Sequence, residues 1–133
     1  MIRAVPWRRA TFAWMSIILL ETVNGTIREI FIAPDLGDLH ARQLGIPISC
    51  VIVFLIAWAT VRWMGAVTQA LQLLIGAWWA VLTLAFEATL GRTMGLSWSR
   101  ILADYDPSRG GLMLFGIAFM VFAPMLAAKL RRP

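Results

Sequence analysis

The chain has 133 residues, of which 60% are hydrophobic and 14% charged, with a mean hydropathy of +0.77. That balance is too apolar for an ordinary soluble domain and makes a lipid bilayer the expected solvent. The formal charge of +5 does not point to nucleic acid, because the basic residues stand beside apolar runs instead of forming a surface stripe.

The opening MIRAVPWRRA, followed by an apolar run from Thr11 to Leu20, has the outline of a secretory signal. No small-x-small cleavage site follows Leu20, so the run is read as a retained first span. In chain order, helices are predicted over about 10–33, 46–64, 70–92 and 111–130, each near the ~20 residues needed to cross the hydrocarbon layer. The expectation is an all-α integral membrane four-helix bundle, with residues 1–133 forming a single transmembrane domain.

The connectors sort by charge. The N-terminus, the short link near Gly65 and the C-terminus carry Arg3, Arg8, Arg9, Arg62, Lys129, Arg131 and Arg132, with no acid among them. Arg28, Arg42, Arg92, Arg100 and Arg109 lie on the other side together with all seven acidic residues. The positive-inside rule then places both termini in the cytoplasm.

Sliding the chain on itself by 66 residues brings Glu21 onto Glu87, Gly25 onto Gly91, Asp38 onto Asp104 and Gly45 onto Gly111. This reads as a duplication with units 10–64 and 76–130, giving two tandem helical hairpins in parallel orientation, related by an axis along the membrane normal.

On the first predicted helix, Glu21, Asn24, Gly25 and Arg28 share one face, because their spacings of 3, 4 and 7 residues match the helical turn. Glu21 falls about 16 Å into a core of about 30 Å, where an unpaired ion costs about 2.5 to 3.5 kcal/mol. That face is expected to point at protein or water, with Arg28 leaning back toward Glu21 as an ion-pair partner. Glu87 repeats the acid with Gly91 one turn later, but Met94 replaces the arginine. Glu21, Asn24, Arg28 and Glu87 are therefore the candidate ion or proton site, weighed against a purely structural charge network that locks the helices together.

Two outer loops, PDLGDLHARQLG and the segment from Thr93 through DYDPSRGG, are expected to roof the bundle. They bring Asp38, His40, Arg42, Asp104, Asp106 and Arg109 as a polar cluster. One histidine among carboxylates is a weak metal signal and excludes a bis-histidine haem pair. No metal or other cofactor is expected.

Catalytic signatures are not found: there is no Gly-rich phosphate loop, no HExxH and no G-x-S-x-G, and no lysine sits in the interior of a span to carry a Schiff base, Lys129 standing at the end of the last one. Cys50 is the only cysteine, so an intrachain disulfide is impossible. The seven tryptophans are read as interfacial anchors and packing.

The strings ETVNGTIREIFIAP, DLHARQLG, AFEATLGR and LADYDPSRGG together resemble a family of small four-helix bacterial inner-membrane proteins that has no assigned activity. The resemblance implies location and helix number only. Two functional readings follow from the residues themselves: an oligomeric proton- or ion-linked transporter or channel, and a non-catalytic accessory subunit of a larger membrane complex. An intramembrane acid-base enzyme acting on a lipid-like substrate is a third and weaker one. In each the partners are the lipid bilayer and further protein subunits, not nucleic acid.

Overall fold

The first span owes its length to a helix that changes pitch instead of ending. In the computed structural model, which describes residues 5–131 and every side chain among them except that of Asp38, α1 covers Trp7–Ile27 and runs on through a π-helical turn at Arg28–Ile32 into α2, Ala33–Leu36. Pro34 follows that turn by two residues; it lacks the N–H that would bond to the Ile30 carbonyl. The chain widens just before it, with the Ala33 N–H donating to the Arg28 carbonyl five residues back. Together these segments form one 30-residue apolar stretch, Trp7–Leu36.

The reversal that follows is one residue wide. Gly37 adopts φ +86° and ψ 157°, a conformation that a side chain would oppose, and α3 begins at once, covering Asp38–Thr60. This corrects the predicted loop PDLGDLHARQLG and the predicted helix over 46–64. Asp38, His40 and Arg42 belong to the opening turns of α3, and the helix passes through Pro47 without stopping. Of the expected turn formers only Gly37 makes the turn, and Pro34 stands in the first turn of α2. The turn itself needs only Gly37, which leaves the residues after it free to be helical.

The link at 61–68 holds Gly65 at φ +70°, and Thr68 caps the next helix by accepting the Leu71 N–H at 3.1 Å. Helix α4 covers Gln69–Thr93. The second connector contains a short helix, α5 (Trp98–Ala103), capped by Ser97, and a 3₁₀ turn at Pro107–Arg109 capped by Asp106. Helix α6 covers Met113–Leu130. The described residues contain no strand, and four helical stretches, Trp7–Leu36, Leu39–Thr60, Gln69–Thr93 and Met113–Leu130, are long and apolar enough to cross a membrane.

Many of the large outward-facing residues of these stretches are apolar, among them Phe12, Leu19, Phe31, Leu55, Phe115 and Phe122, more than a water-facing surface would sustain. Around the bundle the order is α1, α3, α6, α4, so that α1 lies beside α4 and α3 beside α6. A two-fold axis through the centre of the bundle would set equivalent helices at opposite corners. Helices α1 and α4 are instead neighbours, as are α3 and α6, and the 61–68 link crosses the bundle on the diagonal.

The core occupies the end of the bundle nearest that link. Trp79, Ile75, Ile17, Ala10, Ala57, Ala123 and Ala127 are fully buried there. Trp79 donates to the Ala10 carbonyl at 2.8 Å, and Gln72 donates to the Ala66 carbonyl at 2.9 Å. Small residues let the backbones close in. A Cβ on Gly76 would collide with the Val121 backbone, which is why α4 and α6 touch along this stretch.

The basic link-side residues are also tied to tryptophans and carbonyls. Arg9 donates to the Trp63 carbonyl at 2.6 Å and lies over its ring, and Arg131 does the same with Trp58.

Candidate functional site: an acid-lined cavity

At the other end the helices do not close. A cavity of about 490 Å³ lies among α1, α3, α4 and α6, next to the Gly37 turn and the 94–112 connector. Its floor is at Thr83 and Met120: the Thr83 hydroxyl donates to the Met120 sulfur at 3.3 Å and accepts from Trp14 at 3.0 Å. Below that level the bundle is packed.

Glu21 projects from α1 at the level just above the floor. Its Oε2 accepts a hydrogen bond of 2.6 Å from the Ser49 hydroxyl of α3, while its Oε1 is buried without a partner. The direct ion pair expected between Glu21 and Arg28 is not among the described ion pairs, where the carboxylate of Arg28 is Glu29 at 3.8 Å. The Arg28 side chain passes over Gly25 as expected, but it then presses on Gly45 of α3, where a Cβ would lie 3.1 Å from its Nη1. Its Nε is buried without a hydrogen bond. The wider π turn thus begins at the residue whose guanidinium fills the gap between α1 and α3.

Glu87 opens onto the cavity from α4 and is half-buried. It lies within electrostatic range of both Glu21 and Arg28. Asn24 also lines the cavity, so the four residues of the predicted ion or proton site share one enclosure. Gly91 does not repeat the part played by Gly25. It makes room for Ile101, whose Cδ1 would lie 2.9 Å from a Cβ at that position, and so seats α5 on α4.

The predicted polar cluster divides. Arg42 forms an ion pair with Asp104, and Gln43 donates to the Gly110 carbonyl at 2.8 Å, which docks the start of α3 on the second connector and closes part of the cavity mouth. Asp104 is also 3.4 Å from Arg100 one turn earlier. Gly111 is buried so close to the Ala103 and Asp104 carbonyls that no side chain would fit.

His40 is exposed, Arg109 donates to the Ser99 carbonyl at 3.5 Å, and Asp106 accepts from Ser108; none of the three lines the cavity. Asp38 stands at the first position of α3, and its side chain is outside the described residues. The hydroxyl and backbone N–H of Ser108 hold the Asp106 carboxyl below the usual carboxylate range. Burial, reinforced by the charge of Glu87, pushes the Tyr105 phenol up to about 12.

Ser49 and Thr83 were not singled out from the sequence, and Gly45 only as the match of Gly111. The available signal was local: Ser49 is one of the few polar residues of the second apolar run, and Gly45 precedes it by one helical turn. Among the described residues no group of three or more His, Cys, Asp or Glu side chains is placed to hold a metal ion. No protein-family model, curated protein or solved structure matches the chain.

Proposed function

We propose that the chain is a multi-pass protein of the bacterial inner membrane that takes up and releases protons or cations at Glu21 and Glu87 and couples this to transport, working as a homo-oligomer or within a larger membrane complex. The observation that carries the reading is the cavity that reaches both carboxylates. A structural charge network would have closed on itself, whereas Glu21 Oε1 has no hydrogen-bond partner and Arg28 Nε meets only the Glu29 carboxylate, at 3.8 Å and without a hydrogen bond. Intramembrane carboxylates are costly to bury, and their ordinary use is to carry ions or protons.

The charge pattern supports the orientation. Arg8, Arg9, Arg62, Lys129 and Arg131 gather at the link end without an acid, so this end and both termini are assigned to the cytoplasm and the cavity to the outer side. The tandem hairpins in parallel orientation are part of the same proposal, with Glu21 on α1 and Glu87 on the neighbouring α4 as matched positions. The packed floor favours a second reading, a non-catalytic accessory subunit whose cavity binds without passing its contents on.

The experiment is proton and cation flux into liposomes carrying the native chain, Glu21→Gln or Glu87→Gln, with Asp35→Asn, exposed and outside the cavity lining, as a control. Transport predicts at least a tenfold loss of flux in both cavity variants and little change in the control. A native protein without flux, or variants that retain it, overturns the transport reading.

A further inference from the structure

The size and charge of the cavity point beyond a bare ion. About 490 Å³ lies within the range of pockets that enclose small organic molecules, and it exceeds what a dehydrated cation or a proton relay requires. Apolar side chains from every surrounding helix line it, including Ile17, Val53, Phe86 and Ile117. A hydrated ion gains nothing from such walls, whereas an apolar ligand body does.

The ionisable groups have one dominant sign. The charged side chains lining the cavity are four carboxylates, Glu21, Glu29, Glu87 and Asp104, against two guanidinium groups, Arg28 and Arg42. Arg42 is already paired with Asp104 at the mouth. Deeper in, Arg28 faces Glu21 and Glu87, and Glu21 Oε1 has no protein donor. A ligand cation would supply the missing counter-charge, and an anion would be repelled.

An opening toward lipid is present as well. The described side-chain contacts between α1 and α4 lie in the link-side half: Trp7 and Thr11 with Trp78, Ala10 with Trp79, and Trp14 with Thr83 and Phe86. Further along, the cavity is walled by Thr22 and Thr26 of α1 and by Leu90 and Met94 of α4, all of them exposed. Exposed residues of both helices thus line the cavity here, and on the membrane-spanning reading this places its entrance on the lipid side.

We propose that the cavity binds a lipophilic organic cation, a positively charged centre on an apolar body, which enters from the lipid between α1 and α4 and is held by Glu21 and Glu87. The proposal rests on the reading of this cavity as the transport site and names its substrate class. No covalent step is involved: the cation takes the place of protons on the carboxylates, so proton and cation compete. The other titratable or charged groups around them are Arg28 and Glu29 after α1, Cys50 and Arg42 on α3, and Asp104 and Tyr105 in the connector. Helix α6 contributes none at this level.

The test is calorimetric titration of the purified full-length chain in detergent with tetraphenylphosphonium and with tetraphenylborate, which share size and shape and differ in sign. The expected result is binding of the phosphonium at least tenfold tighter than of the borate. It should weaken as pH falls and drop at least tenfold in Glu21→Gln and in Glu87→Gln.

Equal binding of the two ions, or phosphonium binding that neither pH nor the substitutions alter, overturns the proposal. The sign preference and the pH effect are read on the native protein, so they decide the matter even if a variant fails to fold. Proton flux in liposomes without phosphonium binding would refute the substrate class and leave transport standing. Phosphonium binding without any flux would support the ligand class and refute transport.

Discussion

The two ends of this bundle are built from the same four helices and differ in almost every other respect. At the link end, alanines and glycines bring the backbones together around Trp79 and Ile75, and the buried polar groups there are matched: Trp79 with Ala10, Gln72 with Ala66, Trp14 with Thr83. At the cavity end, Glu21, Arg28 and Glu87 line open space among the helices, and two buried polar atoms lack hydrogen-bond partners. The contrast shows how a small bundle can carry a costly site. One end supplies the packing, and the other spends it on groups that would not be tolerated in a close-packed interior.

The comparison breaks if stability does not divide in the same way. The largest effect is expected from Trp79→Ala, which deletes a fully buried indole and its hydrogen bond. Loss of about 3 to 5 kcal/mol is expected on the scale of aromatic truncations, measured by equilibrium unfolding in mixed detergent micelles. Gly76→Ala comes next, at about 1 to 3 kcal/mol, because its methyl group meets the Val121 backbone and the helices must separate to admit it. Glu21→Gln, which can still accept from Ser49, is expected to change stability by less than about 1 kcal/mol. If Glu21→Gln were as damaging as Trp79→Ala, the cavity end would be a structural element, and the division between packed and functional ends would fall.

The packed end and the cavity end were not equally legible in the sequence. Hydropathy marks four spans because about 20 apolar residues in a row have few other uses, and helical spacing places Glu21, Asn24, Gly25 and Arg28 on one face. Both depend on neighbours along the chain. The partners across helices do not: Ser49 meets Glu21, Gly45 meets Arg28 and Thr83 meets Trp14 only once α1, α3 and α4 are set side by side. Gly37 shows a different limit. Its neighbours Pro34, Asp35 and Asp38 all read as loop formers, but one glycine with positive φ completes the reversal, and the others fall into helical first turns. Gly25 and Gly91, identical residues 66 positions apart, illustrate a third, since Gly91 makes room for Ile101 whereas a Cβ on Gly25 would only reach ordinary contact with Arg28.

The smallest expected effect concerns the roof of the cavity, where Tyr105 is the chain's one tyrosine and so reports without interference. Burial, and then the charge of Glu87, raises its phenol to about 12. The unfolded chain would titrate near the ordinary value of about 10. The folded state holds the proton more tightly, so the stability this residue contributes is complete below the unfolded value and is lost as pH rises to about 12. Asp106 works in the opposite sense: its lowered pKa adds stability that is present at neutral pH and lost as pH falls through the acidic range. A tyrosinate absorbance titration is expected to give a midpoint near 12 in the native protein and one near the ordinary value after unfolding in a denaturing detergent. Glu87→Gln should lower the native midpoint, but by less than unfolding does, because burial is the larger cause. A native midpoint at the ordinary value would place Tyr105 in open water, and the connector would then not cover the cavity beside Glu87.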